Sequence, residues 1–252
     1  MQISSDKKIY FLSDFHLGAP NYADSLTREK RVVKFLDEIK GEAAIIFVLG
    51  DLFDFWYEYK KVVPKGFVRI LGKLAELTDS GITIHFFVGN HDMWMSGYFE
   101  KELNINVFFD PKEFEFNGKK FLIGHGDGLG PGDQQYKFMK KIFRNKISQA
   151  LFGMLHPSWG IGLADYFSRK SRATTGHQDE KFLGEDKEWL IIYCKEMLEV
   201  RHIDFFIFGH RHLPIEFKLS DSSRYVNLGD WIKYYSYAVF NGQDVQLKYY
   251  PA

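Results

Sequence analysis

A short apolar run that ends in a glycine and a carboxylate constrains the fold of this chain more than any other feature. Residues 43–49 are all apolar and rich in branched side chains, and Gly50 and Asp51 follow them directly. A run this short, without polar alternation, predicts a strand buried on both faces of a sheet. In open α/β sheets the chemistry lies just beyond the carboxyl ends of such strands, which is the position of Asp51.

The same arrangement recurs at four other places in the chain. Mainly apolar runs at 9–13, 84–89, 121–124 and 205–209 each lead into aspartate, asparagine or histidine. In four of the five cases a glycine precedes the first of these residues, which lets the backbone turn sharply and lets polar groups approach one another. The residues that follow the five runs are Asp14, His16, Asp51, Asn90, His91, Asp92, His125, Asp127, His210 and His212.

Each of these residues alone has an ordinary explanation, as a turn residue, a helix cap or a satisfied core histidine. If the five strands belong to one sandwich, however, their ends bring seven candidate ligands to one rim. The seven are Asp14, His16, Asp51, Asn90, His125, His210 and His212. Such a cluster is costly to desolvate without cations. It exceeds one tetrahedral site and suits two divalent ions that share a carboxylate and leave positions open for water and substrate.

Five ordered motifs carry a family resemblance. They are Asp14-Phe15-His16, Gly50-Asp51-Leu52-Phe53-Asp54, Gly89-Asn90-His91-Asp92, Gly124-His125-Gly126-Asp127 and Gly209-His210-Arg211-His212. As a set they resemble the calcineurin-like metallophosphoesterases. The resemblance implies an α/β fold, with a two-sheet β-sandwich flanked by helices, and a pair of divalent metal ions, with Mn²⁺ favoured. It also implies that one ion binds Asp14, His16, Asp51 and His212, and that the other binds Asp51, Asn90, His125 and His210, with Asp51 as the bridge.

Composition limits the setting in which this chain works. The formal net charge of zero gives no overall attraction to nucleic acid, and the single cysteine, Cys194, excludes an internal disulfide framework. Residues 1–8 are polar and lead straight into the first run, and no apolar run approaches the roughly 20 residues of a membrane span. We therefore expect a cytoplasmic protein without a signal peptide, without a nucleic-acid partner and without an obligate protein partner.

Helical spacing over residues 25–40 and 64–78 predicts two helices between the first three strands, so that the first two strands form a parallel β-α-β unit. Asn117-Gly118 and Asn241-Gly242 predict hairpin turns, and the chain from residue 205 onward is predicted to be mostly β. Residues 227–231 interrupt that series and are predicted to return to the rim of the site.

Two features beside the rim permit alternative interpretations. The aromatic stretch 52–59 is either a core loop or a wall for an apolar or flat substrate group. His91 either contacts the phosphate and donates a proton to the leaving oxygen, with Asp92 orienting it, or only hydrogen-bonds the metal ligands. We predict His91 and Asp92 as catalytic residues.

Residues 131–186 do not follow the strand pattern and predict a helical insertion that caps the site. From 137 to 172 the chain has eight Lys or Arg residues and one acid, interleaved with apolar residues at helical spacing. Either the apolar side simply packs on the core, or the segment contacts an anionic lipid or membrane surface. With a phosphoester site beneath it, we favour lipid contact. The predicted organisation is a core of residues 1–130 and 187–252 with a cap of 131–186.

The motifs around Asp51 and His125, followed by the basic insertion, narrow the resemblance to the UDP-2,3-diacylglucosamine hydrolases of lipid A biosynthesis. That family cleaves a pyrophosphate to give UMP and 2,3-diacylglucosamine 1-phosphate, and its insertion holds the acyl chains. The resemblance implies substrate contacts by Asn90, His91, Asp133, Tyr136, Arg169 and Arg172. It also implies a peripheral position on the cytoplasmic face of the inner membrane.

One position departs from that narrower family, because its well-known members have arginine where this chain has His91. The departure leaves the metal ligands intact but bears on the exact lipid substrate. Two other functions therefore compete. One is a soluble metallophosphoesterase acting on a nucleotide or another small phosphodiester, and the other is a non-catalytic membrane-associated scaffold, which the complete ligand set disfavours.

Overall fold

Two β-sheets packed face to face form the centre of the computed structural model. The structure describes residues 1–132, 134–175 and 181–251. Within these ranges it describes all side chains except those of residues 135, 165 and 169–175. The amino-terminal half contains β1 (Lys8–Leu12), α1 (Tyr22–Ile39), β2 (Ala43–Leu49), α2 (Val68–Asp79), β3 (Thr83–Phe87), α3 (Tyr98–Glu102), β4 (Asn106–Phe108), β5 (Lys112–Phe116) and β6 (Lys119–Gly124). The remainder contains α4 (Gln134–Arg144), α5 (Lys146–Gly153), α6 (Pro157–Thr175), α7 (Trp189–Val200), β7 (Phe205–Phe208), β8 (Pro214–Lys218), β9 (Arg224–Leu228), β10 (Ser236–Phe240) and β11 (Val245–Tyr249).

The strand order brings the five motif-bearing strands to a common edge. One sheet has the order β11-β10-β1-β2-β3-β4, and the other has the order β5-β6-β7-β9-β8. Strands β1 to β4 are mutually parallel, as are β6, β7 and β9. The predicted parallel β-α-β unit and both predicted hairpins are confirmed. Because parallel strands end on the same side of a sheet, the residues that follow β1, β2, β3, β6 and β7 face one rim.

Three apolar layers hold the sheets and helices together. Phe11, Phe47 and Phe121 are fully buried between the two sheets, with Phe11 stacked on Phe47 at 5.2 Å between ring centroids. A second layer packs α1 and α2 on the outer face of the first sheet, and a third packs α7 on the second sheet. Each fully buried side chain of this size contributes about 1.5–3 kcal/mol to folding, so the sandwich supplies a rigid base for the loops at its rim.

Two helices differ from the sequence prediction. The helix predicted from residue 64 begins only at Val68, because Gly66 and Phe67 both adopt positive φ and cannot belong to a right-handed helix. Helix α7 has no counterpart among the predicted elements. Its apolar residues include Leu190, Ile191 and Cys194, which are buried against the second sheet, so tertiary packing determines this element.

The three helices α4, α5 and α6 lie within the predicted cap segment, and they are called the cap helices below. The cap boundaries at 131 and 186 stay a prediction, although α4 begins and α6 ends inside them. In the described parts of the chain, no helix combines the length and the apolar character that crossing a bilayer requires.

Candidate metal centre

Five of the seven predicted ligands have an unusual backbone conformation. Asp14, His16, Asp51, His210 and His212 have φ values of 56°, 44°, 51°, 69° and 50°. Each left-handed residue other than glycine costs roughly 1 kcal/mol or more, so such residues persist only where the surrounding structure holds them in place. The strain is therefore concentrated in the turns after β1, β2 and β7, and it aims these side chains inward.

Glycines next to the ligands allow the turns to approach closely. A Cβ atom on Gly50 would lie 2.6 Å from Nδ1 of His125. A Cβ on Gly89 would clash with the carboxylate of Asp51, and a Cβ on Gly209 would lie 2.6 Å from Oδ2 of Asp14. The glycines that precede the predicted ligands thus leave the space in which the ligands meet.

The structure brings the first predicted ligand set together. Asp14, His16, Asp51 and His212 each place one ligand atom within 4.8 Å of the others. Nε2 of His212 lies 3.0 Å from Nε2 of His16 and 3.2 Å from Oδ1 of Asp14. Oδ2 of Asp51 lies 3.6 Å from Nε2 of His16. These separations are those of neighbouring ligands around one six-coordinate ion.

The second predicted set converges beside the first. Oδ1 of Asn90 lies 3.0 Å from Nε2 of His125 and 2.9 Å from Nδ1 of His210. Oδ2 of Asp51 is 3.5 Å from Nε2 of His125, so the same oxygen faces both sets. The two predicted sets are therefore neighbours with Asp51 between them, although only the first places all its acid and histidine ligand atoms within 4.8 Å of one another.

In both Asp14 and Asp51, one carboxylate oxygen accepts hydrogen bonds from the protein and the other accepts none. Oδ2 of Asp14 accepts hydrogen bonds from the Ser13 hydroxyl and the His210 backbone N–H, and Oδ1 of Asp51 accepts from the His91 backbone N–H at 2.9 Å. The other oxygens, Oδ1 of Asp14 and Oδ2 of Asp51, are buried without a hydrogen-bond partner. A buried acceptor left in this way is costly, and a bound cation removes the cost. The residues present therefore fit a pair of divalent ions.

The protonation states also suit metal binding. Burial favours the neutral acids, but neighbouring His212 and His125 outweigh it and hold the pKa values of Asp14 and Asp51 below their usual range. Burial lowers the pKa of His210 to about 4. Burial opposes the cationic form of His125 as well, yet the Asp51 carboxylate outweighs it and raises that pKa to about 10. Ionised carboxylates and a neutral His210 are the forms that coordinate cations, and the proton on His125 is the one that a metal ion would displace.

Neighbouring groups orient the histidine ligands, and the sequence analysis missed two of them. Nδ1 of His125 donates to the Leu49 carbonyl at 2.6 Å, which leaves its Nε2 facing the site. Asp54 lies 3.6 Å from Nδ1 of His16, and Asp230 lies 3.8 Å from Nδ1 of His212. At these separations the two carboxylates act on the rings through their charge rather than through a hydrogen bond. The predicted return of residues 227–231 to the rim is confirmed, and an acid in that segment was the available signal for Asp230.

His91 lies next to the first ligand set without belonging to it. Its ring centroid is 4.8 Å from that of His16, and its Nδ1 donates to the Asp54 carbonyl at 2.9 Å. Burial lowers the pKa of His91 to about 4. The Ser168 hydroxyl of α6 lies 3.2 Å from the same Nδ1 and donates to the Asp54 carboxylate at 2.9 Å. Ser168 therefore connects a cap helix to this side of the metal centre.

Asp92 holds the backbone of two motifs together. Its carboxylate accepts hydrogen bonds from the backbone N–H groups of Gly89 and Leu52, each at 2.8 Å. Burial, together with the Asp51 charge, raises its pKa to about 7. We predicted that Asp92 orients His91, but the described groups nearest to Nδ1 of His91 are the Asp54 carbonyl and the Ser168 hydroxyl. Asp92 instead joins the turn after β2 to the turn after β3.

The aromatic stretch 52–59 is in part the core loop that was one of its two predicted roles, and its outer side packs on the cap. Phe53 and Trp56 are fully buried and belong to the core. Tyr57 and Tyr59 face the cap instead, where both contact the ring of Phe152 on α5. The Tyr57 hydroxyl donates to the Gln149 carbonyl at 2.7 Å. The outer side of this loop is therefore the surface on which the cap helices are anchored.

Helix α4 turns its basic face toward the core. Lys140 lies 2.6 Å from the Asp127 carboxylate, and Arg144 lies 2.8 Å from Asp110. The Tyr136 hydroxyl donates to the Asp127 carboxylate at 2.5 Å, with its ring 6.4 Å from that of His210. The predicted separation of basic and apolar sides is present, but the apolar side faces outward: Phe138, Met139, Ile142 and Phe143 are exposed.

Three predicted substrate contacts remain untested by these positions. Asp133 lies outside the described residues. Arg169 and Arg172 belong to helix α6, and their side chains lie outside the described part of the chain.

Comparison with known proteins identifies a family and several relatives of this chain. Residues 7–214 match the family model described as calcineurin-like phosphoesterase. The chain is 44% identical over 254 residues to a UDP-2,3-diacylglucosamine hydrolase of Porphyromonas gingivalis, covering 96% of this chain and 97% of that protein. It is 28% identical to the enzyme of the same name from Nitrosococcus oceani, covering 88% and 86%. Among solved structures, the E. coli phosphoesterase Yfce matches with 15% identity and a TM-score of 0.44 over 92% of this chain and 87% of that one.

Proposed function

The chain belongs to the calcineurin-like phosphoesterase family, and from that premise we propose that it hydrolyses the pyrophosphate of UDP-2,3-diacylglucosamine. Water adds its oxygen to the α-phosphorus, and the bond from that phosphorus to the bridging oxygen breaks. The products are UMP and 2,3-diacylglucosamine 1-phosphate. The observation that carries this proposal is the joined pair of ligand sets around Asp51, in a chain 44% identical over almost its full length to an enzyme named for this substrate.

The ions that we propose for the two sites are Mn²⁺. The donor set of imidazoles, carboxylates and one amide oxygen is compatible with this ion, and the family resemblance favours it. When bound, two such ions polarise the phosphoryl oxygens and lower the pKa of a shared water toward neutrality. Asp14, His16, Asp51 and His212 would hold one ion, and Asp51, Asn90, His125 and His210 would hold the other.

His91 is the residue that we propose acts on the phosphate itself. Its Nδ1–H donates to the Asp54 carbonyl, so the neutral ring presents an unprotonated Nε2. An arriving phosphate favours the imidazolium form, in which Nε2–H can donate to a phosphoryl oxygen or to the leaving oxygen. Asp54 and Ser168 position this ring, and Asp92 positions the two turns that flank it.

The outer surface of the cap helices supports a role at a membrane. The exposed apolar side chains of the cap segment include Phe138, Met139, Ile147, Leu151, Met154, Trp159, Tyr166 and Phe167. A patch of this kind is typical of a surface that contacts lipid or a partner. Since an acylated substrate resides in a bilayer, we propose that the protein attaches peripherally to the cytoplasmic face of the inner membrane. The remaining predicted contacts, Asp133, Tyr136, Arg169 and Arg172, are proposed to bind the sugar-lipid part.

Turnover of the acylated substrate tests the proposed function directly. The purified full chain, loaded with Mn²⁺, is incubated with UDP-2,3-diacylglucosamine, and UMP release is followed. We expect UMP from the wild type, and we expect Asp51→Asn to lose at least about 100-fold in rate together with bound metal. Hydrolysis of a small chromogenic phosphodiester without any UMP release would favour the alternative of a phosphoesterase for small substrates.

A further inference from the structure

A cavity of about 590 Å³ lies between the basic face of α4 and the ends of β4 and β6. Cavities that hold small ligands typically span roughly 300–1,000 Å³. His125, a predicted ligand of the second ion, forms part of the wall, and Gly126 and Asp127 continue that wall. The cavity is therefore next to the metal centre and has room for a nucleotide-sized group.

The charge of the wall selects for an anion. Lys137, Lys140, Lys141 and Arg144 all line the cavity, spaced so that they share one face of α4. Two carboxylates, Asp110 and Asp127, also line it and pair with Arg144 and Lys140. Four cations against two acids leave a local excess of two positive charges in a chain whose formal net charge is zero.

The two uncompensated cations differ in how they are held. Lys137 donates to the Gly130 carbonyl, which fixes its ammonium group at the wall. Lys141 is exposed, and it makes no hydrogen bond or ion pair with the residues that the structure describes. Ammonium groups at such a wall favour the oxygens of a phosphate as point charges.

The other wall residues suit a nucleoside better than an acyl chain. Phe109 and Leu129 offer short apolar surfaces, and the amide of Gln134 can both donate to and accept from the edge of a base. The Asn145 oxygen caps α5 by accepting from the Ile147 backbone N–H, so this side chain offers its NH₂ group as a donor. Long acyl chains need a continuous apolar surface. The apolar side of α4 is exposed on the side of the helix that faces away from the cavity. The cavity therefore matches the polar half of the substrate.

We propose that this cavity is the subsite for the nucleoside monophosphate half of the substrate, with Lys141 and Lys137 binding its phosphate. The assignment rests on the proposed function and adds to it the place of the nucleotide. The phosphate of this half is also the scissile one, so it lies where the cavity meets the metal centre at His125, with the nucleoside beside α4 and the rest of the substrate on the other side.

Direct binding of UMP to the Mn²⁺-loaded full chain, followed by titration calorimetry, tests the proposal. We expect Lys141→Glu to raise the Kd for UMP by about tenfold or more, because it removes a charge-assisted contact and adds a repulsive charge. We expect Lys137→Gln to raise it in the same direction. Lys146→Glu is the matched control, since Lys146 is an exposed lysine of α5 that does not line the cavity. It should leave the Kd unchanged.

Several results would overturn the assignment. The first is failure of UMP to bind the wild type, and the second is an unchanged Kd for UMP in both cavity variants. The third is a loss of affinity for glucosamine 1-phosphate and for inorganic phosphate that equals the loss for UMP, which would indicate a general phosphate site. Bound metal and the melting temperature are measured for each variant to establish that it is folded and loaded. Failure of the proposed function is recognised separately, because the wild type would then release no UMP from UDP-2,3-diacylglucosamine, whatever the variants do to UMP binding.

Discussion

At the scale of single residues, several residues of the site use two of their polar groups for two different contacts. Asp54 illustrates this, because its carboxylate lies near His16 and its carbonyl accepts from His91. One residue thus orients both a metal ligand and the neighbouring imidazole. Asp14 and Asp51 likewise divide their two oxygens. One oxygen of each accepts a hydrogen bond from the backbone, and the other is left for a cation.

Replacing His91 should separate catalysis from metal binding. In His91→Ala we expect kcat to fall by about 100-fold, as for removal of a general acid or a phosphate contact, with bound Mn²⁺ unchanged. Turnover of the acylated substrate and metal analysis are the two measurements. A loss of metal in proportion to the loss of activity would show that His91 serves only the ligand shell.

At the scale of elements, a buried ion pair connects the histidine motif after β7 to helix α7. Arg211 binds both carboxylate oxygens of Glu188 at 3.0 Å, and the two side chains are 3% and 1% exposed. Glu188 also accepts from the Leu183 backbone N–H, and Arg211 donates to the Lys181 carbonyl. The segment that returns from the cap is thereby fastened between His210 and His212.

Removing the acid of this pair should be costly. For Glu188→Gln we expect a loss of about 3 kcal/mol in the free energy of unfolding, since the buried Arg211 guanidinium loses its charge-assisted hydrogen bonds to the Glu188 carboxylate. Urea unfolding measures the change. The control is Glu185→Gln, because Glu185 pairs with Lys195 while both side chains are about half exposed. It should change stability by less than about 0.5 kcal/mol. Equal effects of the two variants would refute the role of the buried pair.

Two glycines of α6 differ in how much space the surrounding residues leave for a side chain. A Cβ on Gly160 would clash with the Tyr59 hydroxyl and lie 3.1 Å from the Phe152 ring, whereas a Cβ on Gly162 would meet nothing within 4 Å. We expect Gly162→Ala to stabilise the protein by up to about 1 kcal/mol through helix propensity. Gly160→Ala should destabilise it by about 1 kcal/mol through overpacking and should lower turnover of the acylated substrate. Thermal unfolding and turnover check both, and identical behaviour would argue against tight anchoring at this contact.

At the scale of the whole molecule, the metal centre lies between two different parts of the cap. Helix α4 reaches the His125 side through Lys140 and Asp127, and α6 reaches the His91 side through Ser168. The basic face of α4 is used inside, and the cap side chains that the structure describes as exposed include many large apolar ones. Membrane attachment is therefore expected to depend more on apolar burial than on charge.

Polar substitutions on the outer cap should weaken attachment to lipid. Met154 and Trp159 are 81% and 74% exposed. We expect Met154→Ser combined with Trp159→Ser to lower partitioning onto phosphatidylethanolamine–phosphatidylglycerol vesicles by at least about tenfold, because two large apolar side chains no longer enter the interface. Cosedimentation measures it. Val200→Ser is the control, since Val200 is 82% exposed at the end of α7 and outside the cap. Unchanged partitioning of the double variant would contradict the membrane role.

The sequence by itself determined the parallel β-α-β order and the hairpins, and through the family resemblance it predicted the sandwich and the seven candidate ligands. It could do so because short apolar runs and the residues right after them are local signals that the strand ends then bring together. Only the tertiary structure decided that α7 covers the second sheet, that Asp54 and Asp230 orient the histidines, and that the basic face of α4 points inward. These depend on contacts between residues far apart in the chain, for which helical periodicity specifies two faces but not the surface that each one meets.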